Sequence, residues 1–216
     1  MVVYHPEAPK RSGKIPEKDL VPWVLLATFN GGFKATHGQF GAMSEGITVL
    51  QPRPLLGTLV VHNDGRIEIG EWGDEIDPEV KCISWRQNGP LVIHKGKVNS
   101  NIYNNDPTDW GYTVDDVSPT WRSGIGLSLD GSTLFYYAGP KLTMEALAEG
   151  MVASGASEGL QLDINNYWVH FTAIRTDNEK LIAEPLVPDA MKENIDRYLF
   201  PYTRDYFYVT DANSNR

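Results

Sequence analysis

Three short stretches place groups able to hold or transfer charge at strand ends, two of them beside glycine. "FNGGFKATHG", Phe29 to Gly38, empties an apolar run into a double glycine, which suits a ligand approaching the backbone. "WRSGIG", Trp121 to Gly126, offers Arg122, whose planar fork fits phosphate or carboxylate, or a surface salt bridge. Its glycines allow close backbone approach or mark a bulge. They are no dinucleotide fingerprint, because they open no helix. "LQLDINNYW", Leu160 to Trp168, alternates Leu160, Gln161 and Leu162 and so delivers Asp163 at a strand end, against Asn165 and Asn166. A carboxyl in that setting reads as a catalytic group or metal ligand, and in the plainer reading as a turn residue.

Strand-like runs separated by Gly, Asn, Asp and Pro must position these groups. Val24–Asn30 reads as a buried strand. Leu56–His62 and Arg66–Gly70 form a hairpin over Asn63-Asp64-Gly65. Lys81–Arg86 and Pro90–His94 are strands around Gln87-Asn88-Gly89, and Leu91–His94 with Lys97–Val98 makes a small hairpin over Lys95-Gly96. Asn99 to Trp121 is a long loop, of a kind that often covers a site. Gly124–Leu129 and Thr133–Tyr137 pair around Asp130-Gly131. Met144, Leu147, Ala148, Met151 and Val152 recur at helical spacing, with Thr143 as N-cap and Gly155 as stop. Gly159–Ile164 is a strand, and Tyr167–Ile174 pairs with it or lies near it. Ala190–Tyr198 reads as a short helix and Asp205–Thr210 as a last strand. About ten strands and two helices predict an α+β class: a largely antiparallel or mixed β-sheet of several hairpins with one main helix packed on it. No linker divides the chain, so residues 1–216 read as a single domain.

The composition is globular, with 41% hydrophobic residues in a chain of 216. Six Trp and ten Tyr, many beside glycine and asparagine, suit either a carbohydrate cleft or the edges of a core. A formal charge of -9 argues against a nucleic-acid partner while leaving room for a small anion held by a local Arg. Cys82 is the only cysteine, which excludes an intramolecular disulfide and a cysteine zinc cluster. No apolar run reaches the ~20 residues of a membrane span. The first twenty residues lack a signal-peptide core, so the expectation is either a cytoplasmic protein or a fragment whose targeting segment lies upstream.

Taken in order, "FNGGF", "RSGIGLSLDGS" and "TMEALAEGMVASGASEGLQLD" resemble the phosphodiester glycosidase domain, the family of the mammalian uncovering enzyme and of many bacterial proteins. The resemblance runs from Leu25 to Phe171. It departs after Asp163, where the family's Leu-Asp-Gly-Gly and hydroxyl residue give way to Ile164-Asn165-Asn166-Tyr167-Trp168. Family domains carry strands before the first motif and are commonly exported, which implies a missing N-terminal part and an extracellular or cell-envelope location.

The resemblance implies hydrolysis of a sugar-1-phosphodiester to a free sugar and a phosphomonoester. The leaving group is already good, so the site must chiefly neutralise phosphate and stabilise an oxocarbenium-like centre. On that reading Arg122 takes the phosphate, and Asp163 serves the anomeric side as base, nucleophile or electrostatic stabiliser. Asn30 bonds substrate, Gly31 and Gly32 open the backbone, and Lys34 and His37 add charge or proton transfer. The plainer reading of His37 is a loop histidine. Arg86 and Asn88 line a further wall, or simply form a turn before Leu91. Asp109 and Trp110 hold a sugar or lie on a surface loop; Asp64 and Asp130 are hairpin residues only. No cofactor is required, and a structural calcium is the one ion considered. Two other readings stand beside the enzyme. One is a non-catalytic carbohydrate-binding or cell-envelope module on the same scaffold. The other is a metal-dependent hydrolase using Asp163, Asn165 and His37.

Overall fold

Hairpin chemistry organises most of the chain. The computed structural model describes residues 13–104, 106–111 and 119–212. Its strands are β1 (Leu25–Asn30), β2 (Ala42–Ser44), β3 (Ile47–Leu50), β4 (Gly57–His62), β5 (Ile67–Glu71), β6 (Cys82–Gln87), β7 (Leu91–His94), β8 (Lys97–Val98), β9 (Thr120–Ser128), β10 (Leu134–Leu142), β11 (Ala156–Ile164), β12 (Phe171–Asp177), β13 (Lys180–Pro185) and β14 (Tyr206–Thr210). The helices are α1 (Pro107–Trp110), a single turn, and α2 (Met144–Ala153). Asp130 shows how a turn is set. Its Oδ1 accepts from the Ser128 and Ser132 hydroxyls and from the Ser132 N–H. Those bonds pull its carboxyl down to about 2. Gly131 follows at φ +69°, and β9 and β10 leave in antiparallel register.

The α+β expectation is corrected. The strands form three antiparallel sheets, ordered β13-β12-β1-β14, β10-β9-β11-β7-β8 and β3-β2-β6-β4-β5, and the class is β-rich. One ten-residue helix cannot define a layer for three sheets. The expectation also missed β2, β3 and β13. It made Ala190–Tyr198 a helix, where the chain makes isolated turns and then a 3-10 segment, Arg197–Leu199. It set Tyr167–Ile174 beside β11, yet the strand there begins at Phe171 and pairs with β1 and β13. The long-loop and leader readings fall partly outside the described residues.

The chain divides into two compact units. The first comprises residues 1–31 and 166–216 and holds the four-stranded sheet. Phe29 lies opposite Phe171 on one side and Phe207 on the other, its ring stacked on both. Ile15, Leu25, Ile174, Tyr198 and Tyr206 form the unit's core. His170 is buried within it. The Thr172 hydroxyl donates to the Ile195 carbonyl at 2.8 Å, so it accepts from the His170 ring at 3.1 Å, which places the proton on Nε2.

The second unit, residues 32–165, holds the two five-stranded sheets. Strand β5 of one packs against β7, β9 and β11 of the other. Val92 and Ile93 of β7, Trp110 of α1 and Met144, Leu147 and Met151 of α2 make one apolar cluster, which Ala156 of β11 joins. Thr143 caps α2 by accepting from the Ala146 N–H at 3.2 Å.

Candidate functional site

Strand β11 is where the chemistry-bearing segments of the second unit meet. It pairs with β9 so that Gln161 faces Gly124 and Ile164 faces Arg122; the slip between those pairs is a bulge, and Asp163 sits in it. Asp163 is 5% exposed. Its Oδ1 accepts from the Ile164 N–H at 2.8 Å, and its carbonyl accepts from the Ser123 hydroxyl at 2.7 Å. The Ile164 N–H thus holds the carboxylate, and the Ser123 hydroxyl holds the Asp163 main chain within the bulge.

Asn88 ties this strand to the first glycine loop. Its Oδ1 accepts from the Phe33 N–H at 3.0 Å, while its Nδ2 donates to the Gln161 and Leu162 carbonyls at 2.7 and 3.2 Å. Arg86 braces the same loop. Its Nη2 donates to the Phe33 carbonyl at 2.7 Å and its Nη1 to the Gln87 carbonyl. A Cβ on Gly32 would lie 2.7 Å from Asn88 Oδ1 and 3.2 Å from Arg86 Nη2, so no larger residue fits without displacing both. The Phe33 ring then packs with Phe40 and with Ile164, the neighbour of Asp163. Arg86, Gln87 and Asn88 are all buried. Gln87 ties Gly41, Arg53 and Thr58 together in the same way.

Arg122 is 2% exposed, on β9. Its Nε donates to the Leu142 carbonyl and its Nη1 to the Trp110 carbonyl, each at 3.1 Å. Burial lowers its pKa to about 10, opposed by the charge of Glu145. Among the described residues no hydrogen bond or ion pair joins Arg122 to Asp163. The Trp110 carbonyl also accepts from Gln161 Nε2 at 3.0 Å, leaving Gln161 Oε1 buried and without a partner among the described residues. Asn165 takes a left-handed φ of +72° and its N–H donates to the Trp121 carbonyl. Asp109 is half-buried and Trp110 fully buried, its indole donating to the Asn101 carbonyl at 3.4 Å.

In the same unit Lys34 and His37 are exposed, His37 closing a 3-10 turn with its N–H on the Lys34 carbonyl. Asn30 and Gly31 belong to the first unit. Asn30 Oδ1 accepts from the His170 N–H at 3.0 Å and its Nδ2 donates to the Gly31 carbonyl at 2.9 Å. A Cβ on Gly31 would meet Asp205 Oδ2 at 2.0 Å.

For a metal, the described residues offer one acidic group: Glu71, Asp74 and Glu75, whose ligand atoms lie within 4.8 Å of one another. Lys95 already answers part of the group's charge, its Nζ 3.5 Å from Glu75 Oε1, and His94 Nε2 lies 3.2 Å from the same oxygen. Asp163 is not in that group.

Sequence reasoning named Asp163, Asn88 and Arg86 but overlooked Ser123, Gln87 and Gln161. The signal for Gln161 was a polar residue between two buried leucines, Leu160 and Leu162, each 1% exposed. A polar side chain in a strand flanked so completely must find a partner inside.

No family model matches the chain, and no curated protein matches it. Among solved structures, the catalytic domain of zebrafish N-acetylglucosamine-1-phosphodiester alpha-N-acetylglucosaminidase (NAGPA), auto-inhibited by its pro-peptide, is similar at TM-score 0.55 and 15% identity. That match covers 86% of this chain and 63% of the other, so this chain spans less than two thirds of that one. A hypothetical protein from Synechocystis is similar at TM-score 0.40 and 10% identity, over 91% of this chain and 56% of the other. The likeness to the zebrafish domain is one of fold, a distant relationship.

Proposed function

We propose that the protein is a hydrolase that cleaves the glycosidic bond of a sugar-1-phosphodiester. Water adds across the C1–O bond: its hydroxyl goes to the anomeric carbon, and the phosphate oxygen leaves with the bonding pair and gains a proton. The observation that carries this reading is Asn88, whose one side chain fastens the Gly32-Phe33 loop to the strand entering Asp163. A buried carboxylate with a glycine loop anchored beside its strand suits a reaction needing charge stabilisation and close backbone donors. The distant fold likeness to a phosphodiester glycosidase points the same way.

In this reading Asp163 stabilises the positive anomeric centre. Arg122 acts on the phosphate as a fixed charge, since its Nε and Nη1 already hold carbonyls. Arg86 and Asn88 shape the loop that receives the substrate; Gly32, Lys34, His37 and Asn165, all of the second unit, complete the binding surface. A non-catalytic carbohydrate-binding module is the second reading. It is favoured by the absence of any bond between Arg122 and Asp163 among the described residues.

The test is release of free sugar from a panel of sugar-1-phosphodiesters including UDP-GlcNAc, with Asp163→Asn in parallel. Release by the parent, abolished in folded Asp163→Asn, supports the enzyme. No release across the panel favours the module, and release unchanged in Asp163→Asn removes the central residue from the mechanism.

A further inference from the structure

The first unit contains a cavity of about 400 Å³ lined by Tyr167, Trp168, Glu193, Asn194, Arg197 and Tyr202. That volume is within the range of small-ligand sites, ~300–1,000 Å³. Its walls are fixed by Arg197. The guanidinium donates through Nε to the Asn194 carbonyl, through Nη1 to the Tyr167 carbonyl and through Nη2 to the Glu193 carbonyl. One side chain thus pins the segment after Asp163 to the segment before the 3-10 turn. Arg204 covers the Trp168 ring, its Cζ 4.1 Å from the centroid, and Tyr202 sits edge-on to Tyr198.

The groups left over define the ligand. The Tyr167 and Tyr202 hydroxyls, the Glu193 carboxylate and the Asn194 amide make no side-chain hydrogen bond among the described residues. Tyr167 is 68% exposed, so its ring is accessible to a ligand. Aromatic faces beside a carboxylate and an amide match a pyranose, which presents C–H groups on one face and hydroxyl donors and acceptors around its rim. They do not match phosphate. Glu193 would repel it, and three of the five Arg197 N–H groups already bond carbonyls.

We propose that this cavity is a binding site for an uncharged saccharide, with Tyr167 as the stacking platform and Glu193 and Asn194 as hydroxyl partners. The site stands apart from the glycosidase reading, since it needs neither Asp163 nor Arg122. It also gives a use to the Asn166-Tyr167-Trp168 run.

The test is a titration of the full chain with N-acetylglucosamine, with cellobiose and with inorganic phosphate, followed by saturation-transfer NMR. Saturable binding of a sugar is expected, weakened about tenfold in Tyr167→Ala and about tenfold in Glu193→Gln, and retained in Asp163→Asn. Three results would each overturn the proposal: no saturable binding of either sugar to folded protein; binding undiminished in Tyr167→Ala and Glu193→Gln; or displacement of bound sugar by phosphate. Sugar release that fails while sugar binding depends on Tyr167 would reject the glycosidase reading and leave this one standing.

Discussion

Replacing Asn88 should do more harm than replacing any exposed polar residue of the second unit. The side chain is 1% exposed and makes three hydrogen bonds to the backbone of two distant segments. Asn88→Ala removes all three and leaves a buried N–H and two carbonyls without that partner. At about 1 kcal/mol for each bond, with a further term for the vacated volume, the loss is about 3–4 kcal/mol. Asn88→Asp keeps the volume and the bond from the Phe33 N–H but points a carboxylate at the Gln161 and Leu162 carbonyls. Burial and those oxygens raise the native pKa of the introduced carboxyl above its unfolded value of about 3.9. The native state then binds the proton more tightly than the unfolded one. The Asp variant is closest to the parent near pH 4 and loses stability as pH rises through that raised value. Urea denaturation followed by fluorescence reads both variants. With a slope of ~1–3 kcal/mol/M, the midpoint of Asn88→Ala should fall by roughly 1–4 M. If both variants stay within about 1 kcal/mol of the parent at pH 7, the clamp is not what holds the loop and the reasoning fails.

Three further outcomes follow from the geometry. Arg122→Lys should cost about 2 kcal/mol in thermal unfolding, because a single ammonium cannot reproduce the fork that bonds Leu142 and Trp110; an unchanged Tm would contradict this. His170 is held down to about 4 by burial first and by the Arg197 charge second, so the unfolded chain takes up the proton earlier as pH falls. Its share of stability is complete above pH 6.5 and is lost between there and about 4, to a total of about 3 kcal/mol; His170→Gln should flatten the stability profile in that window. Gly31→Ala should cost about 1–3 kcal/mol, because the added Cβ meets the Asp205 carboxylate at 2.0 Å and its backbone carbonyl at 2.8 Å; a neutral result in denaturation would show that the Asp205 segment, main chain included, yields freely.

The hairpins were readable because their turns carry their own chemistry: Asp64, Gly65, Asp130 and Gly131 announce tight reversals whatever surrounds them. Helix α2 was readable from its spacing and its Thr143 cap. The fold class was not. Strands β2 and β3 are three and four residues long, too short for a pattern, and Lys180–Pro185, on the edge strand β13, lacks the two-residue alternation of a half-buried strand. The partners of each strand depend on contacts far apart in sequence. Nothing local says that β6 and β7, separated by Asn88-Gly89-Pro90, belong to different sheets. At the site, residue types were legible and their duties were not. Asn88 was named as a substrate contact or a turn residue, yet all three of its described bonds go to backbone. Arg122 was read as a fork for phosphate or carboxylate, or as a surface salt bridge, but it is buried and the Leu142 and Trp110 carbonyls occupy two of its nitrogens.

The most direct test of the glycosidase claim is hydrolysis of a sugar-1-phosphodiester in water enriched in oxygen-18, with the phosphomonoester read by phosphorus NMR. Cleavage at the anomeric carbon predicts a phosphomonoester free of the heavy isotope, formed by the parent and absent in Asp163→Asn. Heavy oxygen in the phosphomonoester would mean that the P–O bond breaks instead, and would contradict the account.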